Sequence, residues 1–492
     1  MSGKLSKLFN AQDMTVGSPV KGLIQFSVPL LIGNLAQQLY NTVDSIVVGT
    51  YVGDTALAAV GASGPVVNLL LVLFMGISTG ATIMVSQYFG AKEKEHLSHT
   101  VGTAITLSLL TSIFITILGP LISRPMMSLL NTPADIFEQS CTYLNIIFFG
   151  IIGMAYYNIL SGMLRGLGDS MSPLLFLLIA CGLNIVLDIW FVAGLRWGVA
   201  GVAIATAIAQ LVSAILCMIR LALMRDIVTL NLTVLKLKKQ YVMQLVKLGL
   251  PAGLTQAIFS MAQIVVQSLT NSFGTAVMRV DGFAMMPNFT FGNAMTTYTG
   301  QNIGANRLDR VHEGTKDGMK IGLIFIAVLV LCILLFGEFL LRMFTNTQEV
   351  IDLGVSMLRV LALGYIAVAV TQILSGVMRG AGDTMTPMWI SIITTVVLRV
   401  PIAYGIAYFT RTDASPVGSP YSLFVSLLIS WVTGALLIVF FFKRGKEKNH
   451  YNGIKGSHIK KHKPVEISTG LCCLGETGDS WEAILKMRHA NV

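Results

Sequence analysis

The sequence predicts an all-α integral membrane protein: twelve transmembrane helices in two parallel six-helix repeats, an N-lobe and a C-lobe, around a central cleft. Three observations carry this reading. Hydrophobic residues make up 54% of the 492 and charged residues only 12%, with a mean hydropathy of +0.73, whereas soluble domains carry roughly 25% charged residues. Apolar runs of spanning length recur twelve times. One fifteen-residue stretch also occurs twice, as ILSGMLRGLGDSMSP at 159–173 and ILSGVMRGAGDTMTP at 373–387, identical at ten positions where chance would give roughly one. The same offset carries Gln87, Gly90 and Ala91 onto Gln301, Gly304 and Ala305, so the chain is a duplicated unit.

A polar segment, 1–21, comes first. The N-lobe, 22–224, holds apolar runs near 22–49, 57–88, 98–122, 139–164, 172–195 and 198–224. A lysine-rich linker, 225–244, leads to the C-lobe, 245–442, with runs near 245–271, 276–303, 317–341, 354–379, 386–409 and 420–442. Each is long enough to cross a bilayer, which takes roughly 17–25 residues. The doubled stretch falls between the fourth and fifth runs of each set and reads as a turn. Its glycines supply a left-handed helix end, Asp169 or Asp383 caps the next helix, and Pro173 or Pro387 fits that helix's first turn. The tail, 443–492, lacks a spanning run, and a disordered tail is the simpler reading of it than palmitoylation at Cys472 and Cys473. The six cysteines show no paired spacing of a disulfide framework or zinc site.

Basic residues set the orientation. Lys92, Lys94, Arg225, Lys236, Lys238, Lys239, Arg307, Arg310 and Lys316 all fall at one end, against Arg124, Arg196, Arg342 and Arg411 at the other. Both termini are therefore expected in the cytoplasm of a multi-pass plasma-membrane protein. The net charge of +10 is topological and does not call for nucleic acid. Six helices per repeat is an even number, so the halves enter the membrane from the same side and are related by an axis along its normal.

Few ionisable residues lie well inside the runs: Asp44, Asp188, Asp281, Arg359 and Arg399. A charge at helix centre costs ~2.5–3.5 kcal/mol on insertion scales, which makes each a functional candidate. At 1.5 Å per residue, Asp44 lies ~8 Å below the outer boundary, Asp188 ~10 Å, Thr206 ~12 Å and Asn184 ~16 Å. Two carboxylates, an amide and a hydroxyl share one layer of the N-lobe, a donor set suited to H+ or Na+. The C-lobe does not copy it, since Val266 stands in the place of Asp44. Arg399, too deep to lie unpaired without cost, is expected to pair with Asp281 as a structural ion pair.

TVDSIVVG in the first run, SQYFGAK and GQNIGAN after the second and eighth, and the doubled RGxGD turn together resemble the multidrug and toxic compound extrusion (MATE) family, bacterial DinF-like branch, over about 15–445. The resemblance implies twelve helices in two lobes and export of amphipathic, cationic drugs or metabolites against entry of H+ or Na+, with no cofactor. It carries the family's cation site onto Asp44, Asn184, Asp188 and Thr206, and a gating bend onto Pro29. A monomer embedded in lipid is expected. Two features depart from the wider family. No acid lies in the seventh run, and Gly274 to Gln301 is seven residues shorter than Gly53 to Gln87. The alternatives are a lipid-linked precursor flippase, which calls for extra helices and a strongly basic cavity, and a membrane enzyme. Against an enzyme, no nucleophile–base pair or ligand cluster stands out, and His96, His99 and His312 are expected in solvent-side loops.

Overall fold

The computed structural model describes residues 11–270, 275–342, 347–411, 419 and 421–455, with side chains left aside at 262–284 and 445–455. Twelve helical stretches follow one another along it, each matching one predicted run. In the first half these are α1 (Pro19–Tyr51), α2 (Asp54–Gly90), α3 (Lys94–Leu129), α4 (Ala134–Phe149 continuing as Ile151–Gly166), α5 (Met171–Gly194) and α6 (Gly198–Leu223). In the second they are α7 (Lys239–Thr270), α8 (Thr275–Gly304), α9 (Leu308–Arg342), α10 (Gln348–Gly380), α11 (Met385–Phe409) and α12 (Tyr421–Lys455). About half extend a turn or more past the apolar runs, through stretches rich in charged and polar residues such as 94–97 in α3, 308–316 in α9 and 348–353 in α10, which carry the helix out of the hydrocarbon layer.

Each half has an apolar core of its own. Phe74, Met84, Leu144, Leu160, Leu164 and Cys217 centre the first, and Ile326, Leu358, Tyr365, Phe424 and Trp431 the second. Large apolar side chains also line outward faces, such as Phe114, Ile117 and Leu121 on α3 and Leu335, Phe336 and Phe339 on α9. A soluble protein rarely exposes such continuous patches, whereas lipid solvates them. Every contact described below lies within Met1–Ile438, one compact unit; Val439–Val492 form a second.

Where the halves meet, α2 packs on α7 through small residues. A Cβ on Gly76 would lie 2.9 Å from the Gly249 carbonyl oxygen, and one on Gly80 2.8 Å from that of Leu245. Close backbone approach of this kind is how helices associate in a medium as apolar as their own side chains.

The doubled turn has the geometry read from its residues. Gly168 and Gly382 have φ of +86° and +95°, the left-handed region that glycine enters without a steric cost. Asp169 accepts from the Ser172 backbone N–H (2.9 Å) and hydroxyl (2.7 Å), and Asp383 repeats this with Thr386 at 3.0 and 2.7 Å. Among the described residues, Asp169 adds an ion pair, to Arg220 at 3.1 Å, that Asp383 does not repeat.

Other features were not predicted. The two parts of α4 meet at a 52° bend beside Gly150. Both fifth helices contain π-helical segments, Ile189–Gly194 in α5 and Ile392–Arg399 in α11. His96 and His99 are not in a loop: they occupy the first turns of α3, where His96 Nδ1 meets the Tyr241 hydroxyl at 2.9 Å and His99 Nε2 meets Lys238 Nζ at 2.8 Å. His312 likewise lies in α9. The linker is strapped along α3, with the Thr229 N–H donating to Ser98 Oγ (2.9 Å) and the Thr106 hydroxyl to the Leu235 carbonyl (2.7 Å). The expected shortening is present, α2 having 37 residues and α8 only 30. Cys472, Cys473 and the tail beyond 455 lie outside the described residues.

Candidate cation site

Helices α1, α4, α5 and α6 enclose the predicted polar layer. Asp44 lies seven residues before the end of α1, and Asp188 six before Gly194, so both sit roughly 10 Å from that end of the helices. Thr206, eight residues into α6, lies at about 12 Å. Asp188 is the last α-helical residue of α5 and the π-helical segment begins at the next one. Such widened turns are frequent where a helix serves a functional site.

The structure brings all four predicted residues together. Asp188 and Asn184, one turn apart, have no solvent exposure at all, while Asp44 and Thr206 are half-buried. The carboxyl of Asp44 is the immediate neighbour of that of Asp188. Tyr40, one turn before Asp44, directs its hydroxyl at Thr206 Oγ1 (3.4 Å) and ties α1 to α6. Tyr143 of α4 closes another side, close enough to feel both carboxylates. Neither tyrosine was singled out from the sequence. The signal for Tyr40 was its i, i+4 spacing from Asp44, whereas Tyr143 is brought in only by tertiary packing.

What distinguishes the cluster is unmet hydrogen-bonding capacity. With both acids ionised, the two oxygens of Asp188, both side-chain polar atoms of Asn184 and one oxygen of Asp44 are buried without a hydrogen-bond partner in the protein. The Asp44–Asp188 pair can bond to each other only by sharing a proton. An orphaned buried polar atom costs ~1–3 kcal/mol, and native structures keep few of them. Five at one point, two of the groups being carboxylates, make a hard, oxygen-rich receptacle with an amide beside it. Its chemistry fits H+ or a small cation such as Na+.

The remaining predicted residues lie elsewhere. Pro29 is buried in α1, fifteen residues before Asp44, and the helix runs unbroken through it. Arg399 is buried at the end of the π-helical segment of α11, but the side chain of Asp281 lies outside the described residues. Arg359 is exposed. Lower on α1, the Asn34 amide donates to Thr290 Oγ1 of α8 at 2.9 Å, so α1 bonds to both halves.

The MatE family model matches residues 29–190 and again 251–405, one match in each half. The chain belongs to the MatE family. It is a multi-pass membrane transporter and not an enzyme. The probable multidrug resistance protein YoeA of Bacillus subtilis (strain 168) is 30% identical over 420 residues, covering 82% of this chain and 91% of the relative. YpnP, a probable multidrug resistance protein of the same strain, is 30% identical over 398 residues, covering 80% and 89%. Among solved structures, a multidrug resistance MATE transporter of the MOP superfamily in an outward-facing conformation superposes with a TM-score of 0.81 at 24% identity. That match covers 91% of this chain and 99% of the other, so the two share a fold along nearly their whole length.

Proposed function

We propose that this MatE protein is a secondary antiporter that exports small amphipathic, cationic organic compounds in exchange for H+ or Na+ by alternating access. The observation that carries the reading is the cluster of five unpartnered polar atoms at Asp44, Asn184 and Asp188. Two adjacent carboxylates resist ionising together, so the cluster gains most by taking up a proton or a sodium ion. Asn184 and Thr206 hydrogen-bond the protonated form or ligate sodium through oxygen. Neutralisation removes the negative charge that holds a cationic substrate in the cleft. It also removes a reason for α1 to keep its upper part against α5, and Pro29, which leaves one backbone carbonyl without its helical donor, is the point where α1 bends. Export results because the loaded and empty states differ in substrate affinity, which alone shifts a conformational equilibrium.

The moving bodies are residues 22–224 and 245–442, joined by the linker 225–244. Both termini are cytoplasmic on the distribution of basic residues, which places the cation site near the outer face of the plasma membrane. The multidrug resistance names of YoeA and YpnP favour drugs over lipid-linked precursors. Counterflow of a fluorescent organic cation in proteoliposomes, driven by imposed H+ or Na+ gradients, tests the reading. Uptake should follow one of the two gradients, and uptake indifferent to both would overturn it.

A further inference from the structure

Two doubled motifs take no part in the cation site: the glutamine at the end of α2 and α8, and the RGxGD turn after α4 and α10. In the structure they meet, each pairing with the copy from the other half. Gln87 Nε2 donates to the Gly380 carbonyl at 2.9 Å, and Gln301 Nε2 donates to the Gly166 carbonyl at 3.2 Å. The backbones are crossed in the same reciprocal way. A Cβ on Gly90 would overlap the Gln301 carbonyl oxygen, and a Cβ on Gly304 would overlap that of Gln87. Here α2 and α8 touch backbone to backbone at the end where the basic residues gather.

We infer that Gln87 and Gln301 form a two-fold latch that closes the basic end of the transporter, each glutamine on one half and its acceptor on the other. Any separation of the halves at this end breaks both hydrogen bonds together. The acceptors are neutral carbonyls and the donors neutral amides, so each bond biases the closed state modestly, by roughly two- to tenfold. A bias of that size lets ion binding at the far end release the latch, where an ion pair at the same place would resist. The duplication of both motifs follows: the latch needs a donor and an acceptor from each half.

The polar segment before α1 reinforces it. The Met14 N–H donates to Gln301 Oε1 at 2.8 Å, while the Met14 carbonyl accepts from Asn302 Nδ2 (3.3 Å) and Arg310 Nη2 (3.2 Å). The Gln12 carbonyl lies against Gly168, where any side chain would collide with it. Residues Gln12–Met14 thus bridge the turn of the first half and α8–α9 of the second, and they bear on one glutamine only. Loss of Gln301 should therefore weaken closure more than loss of Gln87.

The latch presupposes alternating access but not the identity of the driving ion, and its test uses neither substrate nor gradient. Spin labels at Glu93→Cys and Leu308→Cys, exposed positions just past α2 and at the start of α9, report the separation of the halves by pulsed electron resonance. The six native cysteines are replaced in the full-length parent. The parent should give a dominant short distance. Gln87→Leu should raise the ratio of long to short distances roughly two- to tenfold, Gln301→Leu by more, and Gly90→Ala and Gly304→Ala should each remove the short distance. Gln87 is half-exposed, so Gln87→Leu tests the latch even if Gln301→Leu fails to fold. An unchanged distribution in monodisperse Gln87→Leu together with unchanged Gly90→Ala and Gly304→Ala overturns the inference. If the distances shift while export ignores Asp44, the latch stands and the proposed cation coupling falls.

Discussion

Replacing Asp188 by leucine should stabilise the protein while abolishing its function. Asp188 is fully buried and neither carboxyl oxygen has a partner in the protein. Each orphaned acceptor costs about 1–3 kcal/mol, so removing two recovers several kcal/mol at most, and fitting a larger side chain into this fully buried position costs part of that, leaving about 2 kcal/mol. Leucine keeps the branching of aspartate at Cγ but is bulkier, so no cavity opens and the added volume is the opposing cost. For a chain of this size ~2 kcal/mol corresponds to a rise in Tm of a few degrees. Buried Cys141 and Cys217 provide the assay: a maleimide dye reacts with them only as the fold opens on heating, once the other four cysteines, Cys181, Cys332, Cys472 and Cys473, have been changed to serine. Gain of stability with loss of activity marks a site kept for function. A lower Tm for Asp188→Leu would refute the reasoning, because it would make Asp188 a structural residue whose removal leaves something else unpaired.

Pro29→Ala restores the backbone donor that proline lacks; helix α1 should stiffen and export should slow, with substrate binding by the purified protein retained, and unchanged export speaks against a bend at this point. Single cysteines at the exposed positions Lys92 and Lys236 should react with a membrane-impermeant thiol reagent only in everted vesicles, and labelling in intact cells would reverse the assigned orientation. For the proposed pair of Asp281 with buried Arg399, Asp281→Asn and Arg399→Gln should be non-additive in a stability cycle by ~0.5–3 kcal/mol, whereas additive effects would separate them.

Much of the fold was legible because the bilayer imposes it. Twelve apolar runs had to be helices, since lipid offers the backbone no other hydrogen-bond partner, and the doubled RGxGD stretch had only one arrangement that capped the next helix. The layer of Asp44, Asn184, Asp188 and Thr206 was legible because depth along a helix is simple arithmetic. The lateral neighbours were not. Tyr143 reaches the site by the packing of α4, a helix bent by 52° at a point that no proline marks. The π-helical turn after Asp188 has no signature in its residues, IWFVAG. Gln87 and Gln301 were visible as a repeat, but their acceptors lie 293 and 135 residues away in the opposite half, and only the folded chain shows the exchange. His96 and His99, expected in a loop, lie in α3, which begins at Lys94 and buries His99 under the linker.

The central claim, that the carboxylate cluster couples ion entry to export, is tested most directly by Asp44→Asn. The substitution keeps the shape of the side chain and mimics its protonated state permanently. Drug efflux is followed in everted vesicles across a range of pH and sodium concentration, with membrane expression matched to the wild type. The account predicts a folded protein with gradient-driven export abolished. Export at the wild-type rate, with the same dependence on pH and sodium, would contradict it.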